Sequence, residues 1–324
     1  MCELLALSAN TPTDLRFSFH GLARRGGATG DHGDGWGLAS FDPDGRGVRL
    51  FREDAPAAFS PIAAGVAKLA LRAHCSIAHI RKATQGVVAL ENCHPFHRRW
   101  RAHEWVFAHN GDLRKPLPSA PGFQPAGNTD SEAAFCWILA ELERRDVDPQ
   151  DGAHLFEALL QTADALTAHG AFNALLANGT WLFAYSSTRL HCITRRAPFQ
   201  QATLADDDLT VDFAQLTAPD DVVTILSTEP LTRDETWQQL PPGEAVLLSH
   251  GEVVLRRQGP ESLNPDRSIT QARPGSAGEA GAQGSPEPPL LAGQQRHCGP
   301  AINGADLGQS QQQHGDPHAE GEGQ

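Results

Sequence analysis

The chain has 324 residues, enough for one large domain or two modest ones, and its 26 Lys+Arg stand against 39 Asp+Glu for a formal charge of −13. That balance excludes the basic surface on which sequence-independent binding to nucleic acid or to anionic membrane depends, and no stretch approaches the roughly 18 apolar residues that span a bilayer. Six Cys without a CxxC pair argue against a disulfide framework and for free thiols in a reducing, cytoplasmic setting; the single Met is Met1.

In chain order, residues 1–9 read as a short buried strand stopped by Asn10, Thr11 and Pro12, without the basic leader of a signal peptide. Strand patterns follow at 36–41, 76–80 and 105–109, and an Ala-rich amphipathic helix is predicted over 61–71. Thr129 with Glu132 three residues on is a capping box that opens a helix over 131–145, placing Phe135, Ile138, Leu139 and Leu142 on one face. A second helix over 152–168 ends at Gly170. Asn178-Gly179 turns a hairpin between 171–177 and 180–186, a strand covers 221–226, and His250-Gly251 turns a hairpin between 245–248 and 253–255. Arg195-Arg196 reads as a solvated strand end. Hairpins in place of regular strand-helix alternation predict antiparallel sheets covered by helices, an α+β layered domain over residues 2–258. Composition shifts near Gly259-Pro260, and the 64 residues beyond, 261–324, hold 11 Gly, 7 Pro and 9 Gln with almost no aliphatic periodicity, so 259–324 is expected to be a disordered tail.

The chemistry starts at Cys2. Removal of Met1, which a small second side chain permits, leaves a thiol and an α-amine on one residue, and an amine with a pKa of about 7.7–8.0 can act as general base to the nucleophile beside it. A buried structural Cys is the plainer reading of that position alone. Arg81 sits where the strand 76–80 hands polar groups to a cleft, and could clamp a carboxylate. Asn110-Gly111 ends the strand 105–109; it is either a simple turn or a side-chain amide and an open N–H converging on a developing oxyanion. Asp130 at a helix start could hold an ammonium group. A thiol, a cation, oxyanion donors and an anion together fit an amide on an amino-acid side chain.

Cys2, Ala78-His79-Ile80-Arg81-Lys82-Ala83-Thr84, His94-Pro95, His109-Asn110-Gly111 and Thr129-Asp130-Ser131-Glu132 resemble the class II glutamine amidotransferase domain of the N-terminal-nucleophile hydrolases. Arg25-Gly26-Gly27 to Asp34-Gly35-Trp36-Gly37 matches its early Gly-rich loop. Among its branches the likeness is to stand-alone YafJ-type proteins, through Met1–Thr13, 89–96, Ile193–Phe199 and Thr232–Trp237, and covers residues 2–256.

The resemblance implies a four-layer αββα sandwich with Cys2 at the end of the first strand. It implies that Cys2 attacks the γ-amide of glutamine, that Asn110 and the Gly111 N–H bind the oxyanion, that Arg81 and Asp130 hold the α-carboxylate and α-ammonium, and that Thr84 and His94 line the pocket. Where glucosamine-phosphate synthase has Trp after the Arg, this chain has Lys82. No cofactor is implied. His74, Cys75, His79, Cys93, His94, His97, His103 and His109 could make a zinc site by composition, but their spacings fit no tight ligand pair and no metal is expected. Cys75, Cys93, Cys136 and Cys192 read as small buried apolar residues. The tail cannot build a synthase core, so three roles are open: a glutaminase serving a separate synthase subunit, a free-standing γ-glutamyl amide hydrolase of the ergothioneine type, or a non-catalytic γ-glutamyl-binding protein on the same fold. The family-like segment around Arg195-Arg196 leaves a partner surface open.

Overall fold

The apolar run that opens the chain has no face to give to water. In β1 (Glu3–Asp14), Leu4 and Ala6 enter one core while Leu5, Leu7 and Ala9 enter another, so the strand needs a covering layer on each side. A computed structural model describes residues 2–257; Met1 and the predicted tail lie outside the described residues. After β1 come α1 (Arg16–Arg25), β2 (Trp36–Phe41), β3 (Val48–Glu53), α2 (Pro61–Val66), β4 (Arg72–Ile80), β5 (Phe96–Trp100), β6 (His103–Leu113), α3 (Asp130–Arg144) and α4 (Gly152–Thr167). The remainder is strand: β7 (Gly170–Ala177), β8 (Leu182–Ser186), β9 (Leu190–Arg195), β10 (Gln201–Thr203), β11 (Thr210–Asp212), β12 (Val223–Ser227), β13 (Gln238–Leu240), β14 (Glu244–Ser249) and β15 (Glu252–Arg257).

Two antiparallel sheets face one another, in the orders β13-β9-β12-β1-β4-β2-β3 and β15-β14-β8-β7-β6-β5. Leu4, Ala6, Ile77, Val106, Ala108, Leu175 and Leu226 fill the space between them. Phe19 and Leu22 of α1 and Val66 of α2 pack on the outer face of the seven-stranded sheet, and Phe135, Leu139, Leu155 and Leu159 of α3 and α4 pack on the outer face of the six-stranded one. The layers run helix, sheet, sheet, helix: the αββα sandwich. Among the described residues no helix is long and apolar enough to cross a membrane.

Several boundaries differ from expectation. β1 does not stop at Asn10–Pro12; it continues to Asp14 through a register shift against β4 between Ser8 and Thr13, and a bulge accommodates a Pro that has no N–H for the ladder. Helix α2 ends at Val66 because Lys68 and Leu69 tighten to i→i−3 bonds beyond Gly65. Only half of the capping box forms: Thr129 Oγ1 accepts from Glu132 N at 3.2 Å, while the buried Glu132 carboxylate takes the Gly127 N–H at 2.7 Å and the Arg98 guanidinium. Cys192 is half-buried; Cys75, Cys93 and Cys136 are buried.

Arg195 is not a solvated strand end. Its guanidinium is buried in a bidentate pair with Glu235 (2.7 and 2.6 Å) and stacks on Phe213; Thr232 donates to Glu235 at 2.7 Å and Trp237 to Thr232 at 2.9 Å. Arg195, Phe213 and Glu235 border an open polar groove of about 240 Å³ that also includes Thr194, Phe199 and Asp234. Arg196 is half-exposed and pairs with Glu252.

Candidate active site

β1 is the central strand of its sheet, so the residue before it stands at the end of the most enclosed part of the fold. Cys2 Sγ lies 3.3 Å from both the nitrogen and the oxygen of Lys82, on the segment leaving β4: it accepts from the N–H and donates to the carbonyl. Donation to a carbonyl needs the protonated thiol. Burial pushes the Cys2 thiol up from its ordinary value; the Lys82 N–H and the positive charges of the chain terminus and Arg81 oppose this, and Asp130 adds to it. Cys2 therefore rests as a thiol at neutral pH.

Across the inter-sheet layer stands Asn110. Val106 and Ala108 face that layer, and strand alternation puts Asn110 on the same side. Its Nδ2 donates to Thr228 Oγ1 at 3.3 Å, and the same hydroxyl accepts from Leu4 N at 2.9 Å. Its main-chain oxygen takes the Asn173 Nδ2 hydrogen at 3.0 Å. His109 points the other way, towards α3. Its Nε2 lies 3.1 Å from the Ala171 carbonyl, which can only accept, so the neutral ring carries its hydrogen there and Nδ1 accepts from Ser131 Oγ at 2.8 Å. This pair pins the start of α3 to β6. Asp130, the first residue of that helix, accepts the Leu113 N–H through Oδ2 at 2.8 Å, which brings its carboxylate to the end of the strand carrying Asn110 and Gly111.

Arg81 is buried, and its guanidinium donates to the carbonyls of Val87 and Gln85, each at 3.0 Å, curling the following loop around itself. Asp34 shapes the same loop by accepting from Ala83 N at 2.8 Å and donating its own N–H to Arg81 O at 3.1 Å. Asn92 closes it through Val87 O at 3.0 Å and Asn128 Oδ1 at 2.8 Å. Arg81 is near enough to Cys2 to act on its thiol, but its donors serve the loop rather than an open subsite. Thr84 lies exposed on that loop, and the Lys82 ammonium pairs with Asp31. Val87, Val88 and Leu90 expose aliphatic surface further along.

His94 packs on His79, ring centroids 4.1 Å apart, and the His94 carbonyl lies so close over β2 that a Cβ at Gly37 would come within 2.3 Å of it. His79 pairs in register with Leu4 and with Gly37, which places the two imidazoles beside the first turns of β1. Among the described residues, none of their four ring nitrogens has a protein partner. Burial, helped by the charges of His109 and Arg81, pushes His79 down to about 3; His94 is held well below its usual range by burial and by its neighbour His79. Between pH 6.5 and 3 the unfolded chain binds protons that the folded chain refuses. The contribution of His79 is therefore full above pH 6.5 and is lost as the pH drops towards 3, by about 1 kcal/mol per pH unit, and His94 acts in the same direction. Urea unfolding between pH 6 and 5 is expected to lose about that much slope in His79→Gln; an unaltered slope would refute the assignment.

The family model for class-II glutamine amidotransferases matches residues 1–271. The chain belongs to the class II glutamine amidotransferases. YafJ of Escherichia coli K12, named as a glutamine amidotransferase, is 49% identical over 258 residues, covering 79% of this chain and 100% of YafJ. The 2.0 Å crystal structure of a predicted glutamine amidotransferase from Pseudomonas aeruginosa PA01 shares 43% identity and a TM-score of 0.63 over 78% of this chain and 100% of that one. A more distant relative, the γ-glutamyl-hercynylcysteine sulfoxide hydrolase of Mycobacterium tuberculosis, is 29% identical over 70% of this chain and 82% of that protein.

In this class II amidotransferase, Cys2, Arg81, His94, Asn110 and Asp130 gather around the first residues of β1, while Thr84 stays on the surface. Thr228 escaped sequence reasoning, and Asp34 and Ser131 enter it only as members of family-like segments, with no role of their own. Thr228 follows the strand β12, and the rule that picked out Arg81 and Asn110, a polar residue at a strand end, would have found it too.

Proposed function

We propose that the chain hydrolyses the γ-amide of glutamine through Cys2. The observation that carries the proposal is the buried Cys2 sulfur held against the Lys82 main chain, with the buried Asn110 amide anchored across the inter-sheet layer beside Leu4. A thiol raised by burial needs a base at the moment of attack, and with Met1 removed the α-amine of Cys2 is that base. Sulfur attacks the γ-carbonyl carbon as its proton passes to the amine. Asn110 Nδ2 and the Gly111 N–H receive the negative oxygen. The tetrahedral adduct collapses to a γ-glutamyl thioester, the ammonium returns its proton to the departing nitrogen, and ammonia leaves. Water then adds to the thioester with the amine again as base, and glutamate is released with the thiol restored. Arg81, once its loop carbonyls yield, holds the α-carboxylate, Asp130 holds the α-ammonium, and His94 lines the pocket. A synthase that takes up the ammonia is, on this account, a separate chain.

A second substrate class, γ-glutamyl amides of larger amines, is favoured by two observations: the aliphatic Val87, Val88 and Leu90 exposed on the Arg81 loop, and the likeness to a γ-glutamyl hydrolase. Glutamate release by the purified protein, from glutamine and from N-alkyl γ-glutamyl amides side by side, decides between them. Glutamine is expected to have the higher kcat/KM. An N-alkyl amide turned over at least tenfold better would move the assignment to the hydrolase, and no turnover of either would remove the enzymatic reading.

A further inference from the structure

We infer that Thr228 is a positioning residue for the oxyanion site: its buried hydroxyl sets the Asn110 side-chain amide and couples it to the strand that begins at the nucleophile. The inference rests on the function proposed above and extends it to a residue outside the segments that carry the family resemblance.

Thr228 is fixed on β1 twice, its N–H donating to Leu4 O at 3.1 Å and its Oγ1 accepting from Leu4 N at 2.9 Å. Leu4 is two residues from Cys2. The same Oγ1 receives the Asn110 Nδ2 hydrogen at 3.3 Å from the opposite sheet. Thr228 is 2% exposed and Asn110 1%, so water does not compete for this contact. An Asn amide has a broad, nearly two-fold χ2 preference, and shape alone barely distinguishes its nitrogen end from its oxygen end. An unanchored amide is free to turn, and a nitrogen turned to a developing oxyanion stabilises it whereas a carbonyl oxygen repels it. Among the described residues the Asn110 Oδ1 has no partner, so Thr228 supplies the side-chain contact that anchors the amide. After accepting from Leu4, the hydroxyl has one lone pair and one hydrogen left. It can therefore accept from Nδ2, leaving one Nδ2 hydrogen for the oxyanion. With the amide turned by half a turn it can instead donate to Oδ1, leaving both. Removing the hydroxyl removes the anchor in either setting.

The test is Thr228→Val, which keeps the branched shape and loses the hydroxyl, with Thr228→Ala alongside in case the valine protein does not fold. Glutamine hydrolysis should lose about 10- to 100-fold in kcat with KM within about threefold, since substrate is held by other groups and the loss lies in the transition state. Thr228→Ser should stay within about threefold of the parent. Alkylation of Cys2 by iodoacetamide, followed on the Cys2 peptide by mass spectrometry, passes through no oxyanion and should keep its parental rate. Parental kcat in Thr228→Val, or an alkylation rate that falls together with kcat, overturns the inference; the latter would mean that the thiol itself is displaced. A parent protein that releases glutamate from no γ-glutamyl amide overturns the function and the inference together, whereas a normal parent with an indifferent Thr228→Val removes the inference alone.

Discussion

Cys2→Ala is expected to release glutamate from glutamine at least about 10³-fold more slowly than the parent chain, with an unchanged melting temperature, because on the proposed mechanism it removes the atom that forms the thioester while leaving the ladder of β1 intact. A sharper version keeps the thiol. Inserting a Lys between Met1 and Cys2 prevents removal of Met1, so the thiol stays while the α-amine beside it becomes an amide. The inserted chain is expected to be as inactive as Cys2→Ala. Intact mass showing a retained Met1 together with parental activity would rule out the α-amine as base. Burial, which raises the Cys2 thiol, is the reason a base is needed: a buried thiol must give up its proton to attack, and the insertion removes the amine that would take it.

Gly111→Ala should damage both folding and catalysis. A Cβ there would lie 1.8 Å from the Ala171 carbonyl oxygen and 2.5 Å from His109 Nε2. Neither neighbour can retreat cheaply. Ala171 is held in the β6–β7 ladder opposite Asp112, and His109 is tied at one end to Ala171 and at the other to Ser131. The strands must therefore part, which costs about 1–3 kcal/mol or more, and the Gly111 N–H moves from where an oxyanion would form, which costs about 10²–10³ in kcat. Urea unfolding and glutamate release from the same preparation measure the two effects. A variant with the parental midpoint and parental kcat would show that the strands yield at this point and that Gly111 gives no donor.

The parts of the fold that local chemistry dictates could be read from residues alone. The hairpin at Asn178-Gly179 forms, but its loop spans 178–181 and not the dipeptide alone: Ala177 pairs with Leu182, the Asn178 Oδ1 accepts from Thr180 N and Trp181 N, and only Gly179 takes a positive φ, 87°. The helices predicted over 131–145 and 152–168 run Asp130–Arg144 and Gly152–Thr167, because their apolar stripes and their Thr129 and Asp151 caps are local properties. β3 was missed because its side chains are half in water and carry little alternation, and β10 and β11 because three residues hold no period. The Pro12 stop was overruled by the sheet, since Thr13 and Asp14 find partners in Ala73 and Arg72 of β4.

For the site, the position behind Met1 pointed to Cys2, strand ends pointed to Arg81 and Asn110, and a helix start pointed to Asp130. The partners of those side chains could not be read in the same way. Thr228 reaches Asn110 across 118 residues of sequence, and the role of Arg81 as the hub of its own loop follows from where carbonyls turn, not from residue type.

The buried Arg195 pair separates likeness from chemistry. Arg195 lies opposite Val223, which lies opposite Ala9, seven residues along β1 from Cys2, so it stands about 23 Å away along the strand direction. Two of the segments that carry the likeness to the YafJ-type branch, Ile193–Phe199 and Thr232–Trp237, thus meet at the far end of the sheet, joined by a guanidinium, a carboxylate, a hydroxyl and an indole. Their shared sequence is that of a fastening. Changes there should shorten the life of the folded chain and leave each surviving molecule turning over at its ordinary rate, so a census of matching residues would overcount the active site by the residues that hold the opposite edge shut.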